Sequence, residues 1–232
     1  MKTNNNLTVR VIISTRLTKS EFLQNSQTAK SIKYFIDTSP VQVKCYYENN
    51  IGLSEIYNKE INEVGYSSVI LVFMHDDILI ADYFWTKKVR DGLDQFSIVG
   101  LIGNQKRLPY QPSWRFLDLN FKVDKFENYS GAVGHGTRFP PKILSNFGPP
   151  LKKCKIIDGL FIAVDSRTLL KTGLRFDERF KFNFYDIDFC RSAENLGLDI
   201  GTIPLSVVHE SPGNFGDDWK NSYKIYINKW KE

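Results

Sequence analysis

Val69-Ile70-Leu71-Val72-Phe73-Met74-His75-Asp76-Asp77 is the stretch that decides the fold predicted for this chain. Six apolar residues, half of them β-branched, run directly into a histidine and two carboxylates. An apolar run of this length is too short to span a membrane and is typical of a strand buried on both faces of a parallel sheet. Ligand sites of open α/β sheets lie at the carboxyl ends of such strands. We therefore expect His75, Asp76 and Asp77 at the rim of a cleft.

Two interpretations of these three side chains remain open at this point. Imidazole and carboxylate groups suit a divalent cation, and a cation at a strand end can neutralise a diphosphate. Acidic residues are also common where an ordinary loop follows a strand. The three residues alone do not decide between a metal site and a loop.

Composition limits the classes of protein that the chain can belong to. Its 232 residues, 42% hydrophobic and 25% charged, predict one large α/β domain or at most two small ones. The net charge of +5 is spread along the chain, which argues against nucleic-acid binding. Three cysteines without a CxxC spacing argue against a disulfide framework or a zinc knuckle.

No stretch approaches 18 apolar residues, and no hydrophobic signal region follows Met1. We therefore expect a cytoplasmic protein without a transmembrane segment, an expectation that leaves room for peripheral contact with a membrane.

Apolar patterning in the first half of the chain alternates between two periods. Strands are predicted over 7–14, 41–47, 69–74 and 96–102, and helices over 20–34, 53–64 and 82–93, with Phe84, Trp85 and Val89 facing inward. Such alternation favours a parallel sheet with right-handed crossovers. Ser14 and Thr15 follow the first strand, where hydroxyls can hold a base or ribose or simply cap the next helix. Glu48 follows the second strand.

The second half of the chain begins with a segment of different composition. Proline, glycine and isolated aromatic residues dominate 105–150, which predicts short strands or a lid; His135, within this segment, has more often a structural role than a ligand role. Asp158-Gly159 interrupts a predicted strand over 154–164, which indicates a bulge or a close approach of the backbone to a ligand.

Further along, Asp165 is expected to cap a short helix that ends at Gly173. Asp186 or Asp188 could cap a helix that Gly197 closes. A last strand over 200–208 ends in His209.

Taken together, these motifs resemble the nucleotide-sugar glycosyltransferases of the GT-A fold, close to the family-2-like bacterial enzymes. The resemblance covers the chain from about Val9 to Gly213 and is carried by residues 73–77, 158–164, 173–178 with 184–191, and 207–209. Tyr57-Asn58, the Gly100–Gly103 turn and residues 209–213, including Pro212, resemble more narrowly the branch related to a streptomycin-biosynthesis protein domain.

The resemblance implies a single GT-A-like domain over 1–232, with a Rossmann-like, mostly parallel central sheet flanked by helices. Its nucleotide-binding half would cover about 7–104 and its acceptor-side half about 105–232. The implied activity is a metal-dependent, inverting, hexosyltransferase-type transfer from a nucleotide-diphosphate sugar to a hydroxyl of a glycan or other acceptor. Mn²⁺ or Mg²⁺ is the implied cofactor, and bacterial polysaccharide or glycoconjugate synthesis the implied setting.

The resemblance also assigns roles to individual residues. Asp77 and His209 would bind the metal, and Asp186, rather than Asp188, would be the general base of the catalytic pair. The nucleotide sugar would contact Ser14, Thr15, Glu48, His75, Asp76, Asp158 and Gly159. Two positions depart from the family pattern: His75 replaces the first carboxylate of the DxD motif, and Tyr185 replaces the glutamate of the usual Glu-Asp pair.

Plainer roles stay open for some of these residues. His209 can be a satisfied strand-end residue, and Asp186 or Asp188 only a helix cap. An HD-type phosphohydrolase also places adjacent His and Asp on a metal, but it does so on helices, and the Val- and Ile-rich strand before His75 argues against that class. A GT-A-like protein that binds a sugar or nucleotide without turning it over is the remaining alternative. Hydrolysis of the nucleotide-sugar donor would distinguish the enzyme from such a binding protein.

Overall fold

The computed structural model describes residues 7–36, 40–65, 67–211, 213 and 215–231, apart from the side chains of 35 and 36. Its strands are β1 (Thr8–Ser14), β2 (Val41–Tyr46), β3 (Val69–Met74), β4 (Ile78–Ile80), β5 (Ile98–Gly100), β6 (Ile102–Asn104), β7 (Tyr129–His135), β8 (Ile143–Asn146), β9 (Lys153–Cys154), β10 (Ile156–Ile157), β11 (Phe161–Asp165), β12 (Ile200–Thr202) and β13 (Val207–His209). Its α-helices are α1 (Lys19–Asn25), α2 (Gln27–Ile36), α3 (Leu53–Val64), α4 (Trp85–Leu93), α5 (Ser166–Thr172), α6 (Tyr185–Asn195) and α7 (Asp217–Trp230), and a 3₁₀ turn covers Phe126–Asn128.

The central sheet has seven strands in the order β2-β1-β3-β11-β5-β12-β9. Five of these seven strands point the same way, because β1 is parallel to β2 and β3, β5 is parallel to β12, and β11 is antiparallel to both β3 and β5. All six residues of β3 are buried between its neighbours. The predicted α/β fold with a mostly parallel sheet flanked by helices is confirmed.

A second sheet, β10-β6-β7-β13-β4 with β8 added to β7, covers the carboxyl ends of the first. Strand β13 runs parallel to β7, with His209 opposite His135, and antiparallel to β4, with His209 opposite Ile78. Because β4 begins directly after Asp77, this pairing brings the end of β13 beside the end of β3. Two distant parts of the sequence therefore meet at one edge.

Several local signals act as the sequence indicates. Helix α3 buries Ile56, Tyr57, Ile61 and Val64 on one face. The Asp165 side chain accepts a hydrogen bond from the Arg167 backbone N–H at 2.9 Å and caps α5, and Gly173 ends that helix in the left-handed region. Gly197 likewise follows α6 with φ +72°.

Other predicted elements are divided or shortened. The predicted helix 20–34 is two helices, because Ser26 has an extended backbone and its hydroxyl donates to the Asp76 carbonyl at 2.7 Å. The strands predicted over 96–102, 154–164 and 200–208 are each split between the two sheets. Helix α4 begins only at Trp85, and Phe84, expected to face inward, is 69% exposed.

The start of α6 also differs from the prediction. Phe184, with φ +65°, is its N-cap residue, so neither Asp186 nor Asp188 caps the helix; both lie within its first turns. Helix α7 was not predicted, and it packs back on the body of the protein. The segment 105–150 carries the short strands that were expected as one of two alternatives. Within the described residues, no helix combines the length and apolar character needed to cross a bilayer.

Candidate functional site

A large open cleft of about 1270 Å³ lies at the carboxyl ends of β1 and β3. Pockets that hold one drug-sized ligand usually measure 300–1,000 Å³, so this cleft is somewhat larger than a pocket for a single small ligand. Its walls come from both sheets and from the N-terminal parts of α6 and α7. All three histidines of the chain, His75, His135 and His209, line it.

Most of the predicted site residues line this cleft. They are Ser14, Thr15, His75, Asp76, Asp77, Asp158, Gly159, Asp186 and His209. Glu48 and Asp188 are not among the lining residues. Glu48 is exposed with φ +50°, and its neighbour Asn49 faces the cleft instead. The Asn49 amide donates to the Ser14 hydroxyl at 2.7 Å, so the polar end of β2 still reaches the end of β1.

His75, Asp77 and His209 form a compact group whose ligand atoms all lie within 4.8 Å of one another. Asp77 Oδ1 is 3.2 Å from His209 Nε2 and 4.0 Å from His75 Nδ1. Asp77 Oδ1 and His209 Nε2 are buried and face each other at ion-pair distance, and neither atom has a further hydrogen-bond partner within the described part of the chain. Asp77 raises the pKa of His209 against the opposing effect of burial, as expected for an ion pair. A divalent cation held by both atoms would take the place of the His209 proton.

The hydrogen bonds of Tyr185 fix the orientation of His75. The Tyr185 hydroxyl donates its one proton to the Gly159 carbonyl at 2.9 Å, since a carbonyl only accepts. Its oxygen lies 2.8 Å from His75 Nε2 and must therefore accept from that nitrogen. The proton of neutral His75 is then on Nε2, and the lone pair of Nδ1 points towards Asp77. Burial, and secondarily the charge of His209, lowers the pKa of His75, which favours this neutral, ligating form.

The Asp158-Gly159 interruption connects the histidines to Asp186. The backbone N–H of Gly159 donates to Asp186 Oδ2 at 2.9 Å, while its carbonyl accepts from Tyr185. A Cβ atom at Gly159 would lie 2.3 Å from the Tyr185 hydroxyl oxygen, so only glycine fits here. Asp158 accepts from the Trp114 indole N–H at 2.5 Å and from the Leu160 N–H at 2.8 Å. The sequence predicted a bulge or a close approach of the backbone to a ligand; the Gly159 backbone lies close to Tyr185 and Asp186 of this chain.

Asp186 faces the cleft from the first turn of α6. Burial, with the nearby Asp158 carboxylate adding to it, raises its pKa from 3.8 to about 7. A carboxylate whose pKa is near neutrality is suited to accept a proton at physiological pH. This is the chemical property expected of a general base.

Asp188 has a different environment. It is completely buried and accepts from Lys229 Nζ at 2.8 Å and from the Trp230 indole N–H at 2.9 Å, both at the end of α7. Lys229 also lies 2.8 Å from Asp177. Arg191, three residues further along α6, lies 4.3 Å from the centre of the Trp230 ring. Asp188 therefore holds α7 in place and does not reach the cleft.

Sequence reasoning assigned no role in the site to Tyr57, whose side chain lines the cleft and is fully buried. Its hydroxyl has no hydrogen-bond partner within the described residues. The ring packs against Phe73, Phe176 and Tyr185, with centroid distances of 4.6, 5.2 and 5.9 Å. Helical spacing indicates only that Tyr57 is inward-facing, and no local signal distinguishes a core tyrosine from one at a cleft.

Three cations also line the cleft without an ion pair to any residue that the structure describes: Arg16, Arg115 and Lys181. Arg16 lies over the Phe182 ring at 5.4 Å. Gly52 lets the Lys181 segment pack closely, because a Cβ atom there would lie 2.8 Å from Lys181 Cα. These free positive charges suit an anionic ligand.

No family model matches the sequence, and no curated protein matches it. Among solved structures, GalNAc-T7 with UDP, GalNAc and Mn²⁺ is similar with a TM-score of 0.51 at 10% identity, covering 97% of this chain and 48% of that one. TarS 1-349 of S. aureus with UDP-GlcNAc has a TM-score of 0.49 at 10% identity, covering 92% of this chain and 61% of that one. A197 from STIV has a TM-score of 0.47 at 10% identity, covering 88% of this chain and 86% of that one. The chain spans about half the length of GalNAc-T7, and that likeness shows a shared fold.

Proposed function

We propose that this chain is a glycosyltransferase that moves a sugar from a nucleoside-diphosphate donor to a hydroxyl acceptor. The observation that carries the proposal is the position of Asp186 and the His75–Asp77–His209 group in one cleft, joined through Gly159. The fold shared with GalNAc-T7, whose structure contains UDP, GalNAc and Mn²⁺, supports it.

The metal-binding part of the proposal uses three side chains. Asp77 Oδ1, His209 Nε2 and His75 Nδ1 would hold Mn²⁺ or Mg²⁺, and the closeness of the three ligand atoms, all within 4.8 Å of one another, supports this fit. When bound, the cation would offset negative charge on the departing diphosphate. Two nitrogen ligands favour Mn²⁺ over Mg²⁺, which prefers a shell of oxygen atoms.

The donor would lie across the ends of β1 and β3. Ser14, Thr15 and Asp76, which line the cleft there, would contact the nucleoside or its diphosphate, and Asn49 would take the role expected for Glu48. Arg16 and Lys181 would add attraction for the phosphates. Asp158 and Gly159, between the histidine group and Asp186, would then border the sugar.

The acceptor would approach Asp186. Its carboxylate would take the proton of the attacking hydroxyl while the oxygen bonds to the anomeric carbon and the bond from that carbon to the diphosphate oxygen breaks. Direct displacement of this kind gives inversion of configuration. The products are a glycoside, a nucleoside diphosphate and protonated Asp186, which returns its proton to solvent.

The proposal also covers the enzyme family, the roles of the two halves of the domain and the biological setting. We place the chain with the family-2-like enzymes of the GT-A fold, and more narrowly near the streptomycin-biosynthesis branch, although Pro212 of that motif lies outside the described residues. Residues 7–104 would bind the nucleotide and residues 105–232 the acceptor, within one domain. A cytoplasmic role in bacterial polysaccharide or glycoconjugate synthesis fits this assignment.

One observation favours a second candidate, a protein that binds a nucleotide sugar without transferring it. His75 occupies the position of the first DxD carboxylate, and its Nε2 is held by Tyr185 rather than facing the cleft. One carboxylate fewer at the diphosphate weakens the likeness to an active enzyme. Turnover decides between the two functions.

The test is release of nucleoside diphosphate from a panel of nucleotide sugars with Mn²⁺, with and without sugar acceptors. We expect release by the native chain and its loss in Asp186→Asn. Asp218→Asn, which removes another carboxylate of the cleft lining on α7, is the matched control and should retain release. Binding of a nucleotide sugar without release under any condition would establish the second candidate instead.

A further inference from the structure

An exposed apolar surface lies at the turn between β7 and β8, residues 138–144, which we name the hairpin tip. Phe139, Ile143 and Leu144 are 59%, 60% and 64% exposed. Large apolar side chains that are exposed singly need no explanation, but three within seven residues form a patch. Such patches on a soluble protein usually mark a contact surface.

The β8 strand presents this surface on both of its faces. Successive residues of a strand point to opposite faces, yet Ile143 and Leu144 are both exposed. Within the described strands, β8 pairs with β7 alone. The tip therefore stands clear of the body of the protein, and its apolar side chains are not the outer part of a core.

The tip is nevertheless held in one conformation. A Cβ atom at Gly134 would lie 2.6 Å from Pro141 Cβ, so the turn folds tightly against β7. The Lys142 N–H donates to the His135 carbonyl at 3.2 Å, and the Gly136 N–H donates to the His209 carbonyl at 3.2 Å. A preformed surface loses little conformational entropy when it binds.

The charge of the hairpin tip is entirely positive. Arg138 and Lys142 flank the apolar residues, and neither forms an ion pair with any residue that the structure describes. The sequence contains no acidic residue between Glu127 and Asp158, a stretch that holds Arg138, Lys142, Lys152, Lys153 and Lys155. A partner for this surface has to be both apolar and negatively charged.

We propose that the hairpin tip docks on the surface of a membrane that contains anionic phospholipids. Phe139, Ile143 and Leu144 would enter the boundary between headgroups and acyl chains, while Arg138 and Lys142 remain at the level of the phosphates. A second copy of the chain paired along β8 is disfavoured, since it would bring the same unpaired cations together. The inner side of the hairpin, Val133 and His135, lines the cleft, so docking would place the cleft next to the membrane.

This inference does not depend on the proposed transfer reaction, and its test uses binding alone. The full chain is floated with vesicles of phosphatidylcholine, with or without phosphatidylglycerol. We expect binding that requires phosphatidylglycerol and weakens with salt. Arg138→Gln with Lys142→Gln should weaken it about 25-fold, since each cation near an anionic surface contributes about fivefold. Phe139→Ser with Ile143→Ser and Leu144→Ser should weaken it at least tenfold.

The control variants remove similar side chains elsewhere. Phe84→Ser removes an equally exposed aromatic residue, and Lys30→Gln with Lys33→Gln removes two exposed cations of α2. Both should float like the native chain, and melting temperatures confirm that all variants fold. The proposal would be overturned if the native chain failed to float with anionic vesicles or bound neutral vesicles equally well. It would also be overturned if the hairpin-tip variants bound as strongly as the native chain. So would a native dimer in lipid-free solution that the tip variants dissociate, since a second copy would then be the partner.

Discussion

Asp77 Oδ1 lies 3.2 Å from His209 Nε2, and neither buried atom has a further hydrogen-bond partner within the described residues. The two residues are brought together by β13, which pairs with β4 immediately after Asp77. His75 Nδ1, oriented by Tyr185, completes the group. A cation in this position would satisfy all three atoms at once.

The first prediction concerns divalent cations alone. Mn²⁺ should raise the melting temperature, because a ligand of the native state contributes roughly 2.7 kcal/mol at a hundredfold excess over its dissociation constant. Mg²⁺ should have a smaller effect, since two of the ligand atoms are nitrogens. His209→Ala should abolish the shift. His135→Ala, a histidine of the same cleft outside the group, should keep it; equal shifts in both variants would rule out the site.

The second prediction separates Asp186 from Asp188. Asp186→Asn should lose turnover by 10² to 10⁴, the usual contribution of a general base, with donor affinity retained. Asp188→Asn should instead lower the free energy of unfolding by about 2 kcal/mol, because it weakens charge-assisted hydrogen bonds from Lys229 and Trp230. Steady-state kinetics and urea denaturation measure the two effects. An inactive but fully stable Asp188→Asn would reverse the assignment.

The third prediction is a pH profile. Since burial and Asp158 raise the pKa of Asp186 to about 7 and a base acts as the carboxylate, turnover should fall roughly tenfold per unit below that pH. The same shift has a consequence for stability. The folded-state pKa exceeds the unfolded value, so the favourable contribution is complete below the unfolded pKa and is lost as pH rises through about 7. Asp186→Asn should remove this loss, whereas a flat rate profile in the native chain would contradict the role.

The fourth prediction concerns Tyr57. Its hydroxyl is buried in the cleft wall without a partner, so Tyr57→Phe should leave stability unchanged or slightly higher. Because the Tyr57 hydroxyl is free to hydrogen-bond a bound nucleotide sugar, the same variant should also weaken nucleotide-sugar binding roughly five- to tenfold. Tyr46→Phe is the contrasting variant. The Tyr46 hydroxyl donates to Glu60 at 2.5 Å, and Tyr46 does not line the cleft. It should lose stability and keep binding; equal binding by Tyr57→Phe and the native chain would leave Tyr57 without a role.

The sequence predicts those parts of the fold whose causes are local. The continuous apolar run of β3 identifies a doubly buried strand. Asp165 marks a helix start through its side-chain cap, and Gly173 and Gly197 mark helix ends through their left-handed backbone. The polar residues that follow β1 and β3 could be placed at a cleft for the same reason, since strand direction and sheet position determine where strand ends lie.

What the sequence did not predict depends on distant contacts. Ser26 divides the first predicted helix because its hydroxyl reaches Asp76, fifty positions away. Asp188 was expected in the catalytic pair or as a helix cap, and its partners Lys229 and Trp230 could not be predicted because they lie more than forty positions further on. Helix start signals indicated an aspartate cap for α6, but Phe184 in the left-handed region begins it. For Ser26 and Asp188, a tertiary contact overrides a local preference.

The central claim is that the cleft binds a nucleoside diphosphate together with a divalent cation. The most direct measurement is calorimetric titration of the protein with common nucleoside diphosphates, in Mn²⁺ and in EDTA, for the native chain and for Asp77→Asn. We expect saturable binding of at least one nucleoside diphosphate in Mn²⁺, greatly weakened in EDTA and in Asp77→Asn. Absence of binding by every common nucleoside diphosphate in Mn²⁺, or binding equally strong in EDTA, would contradict this claim.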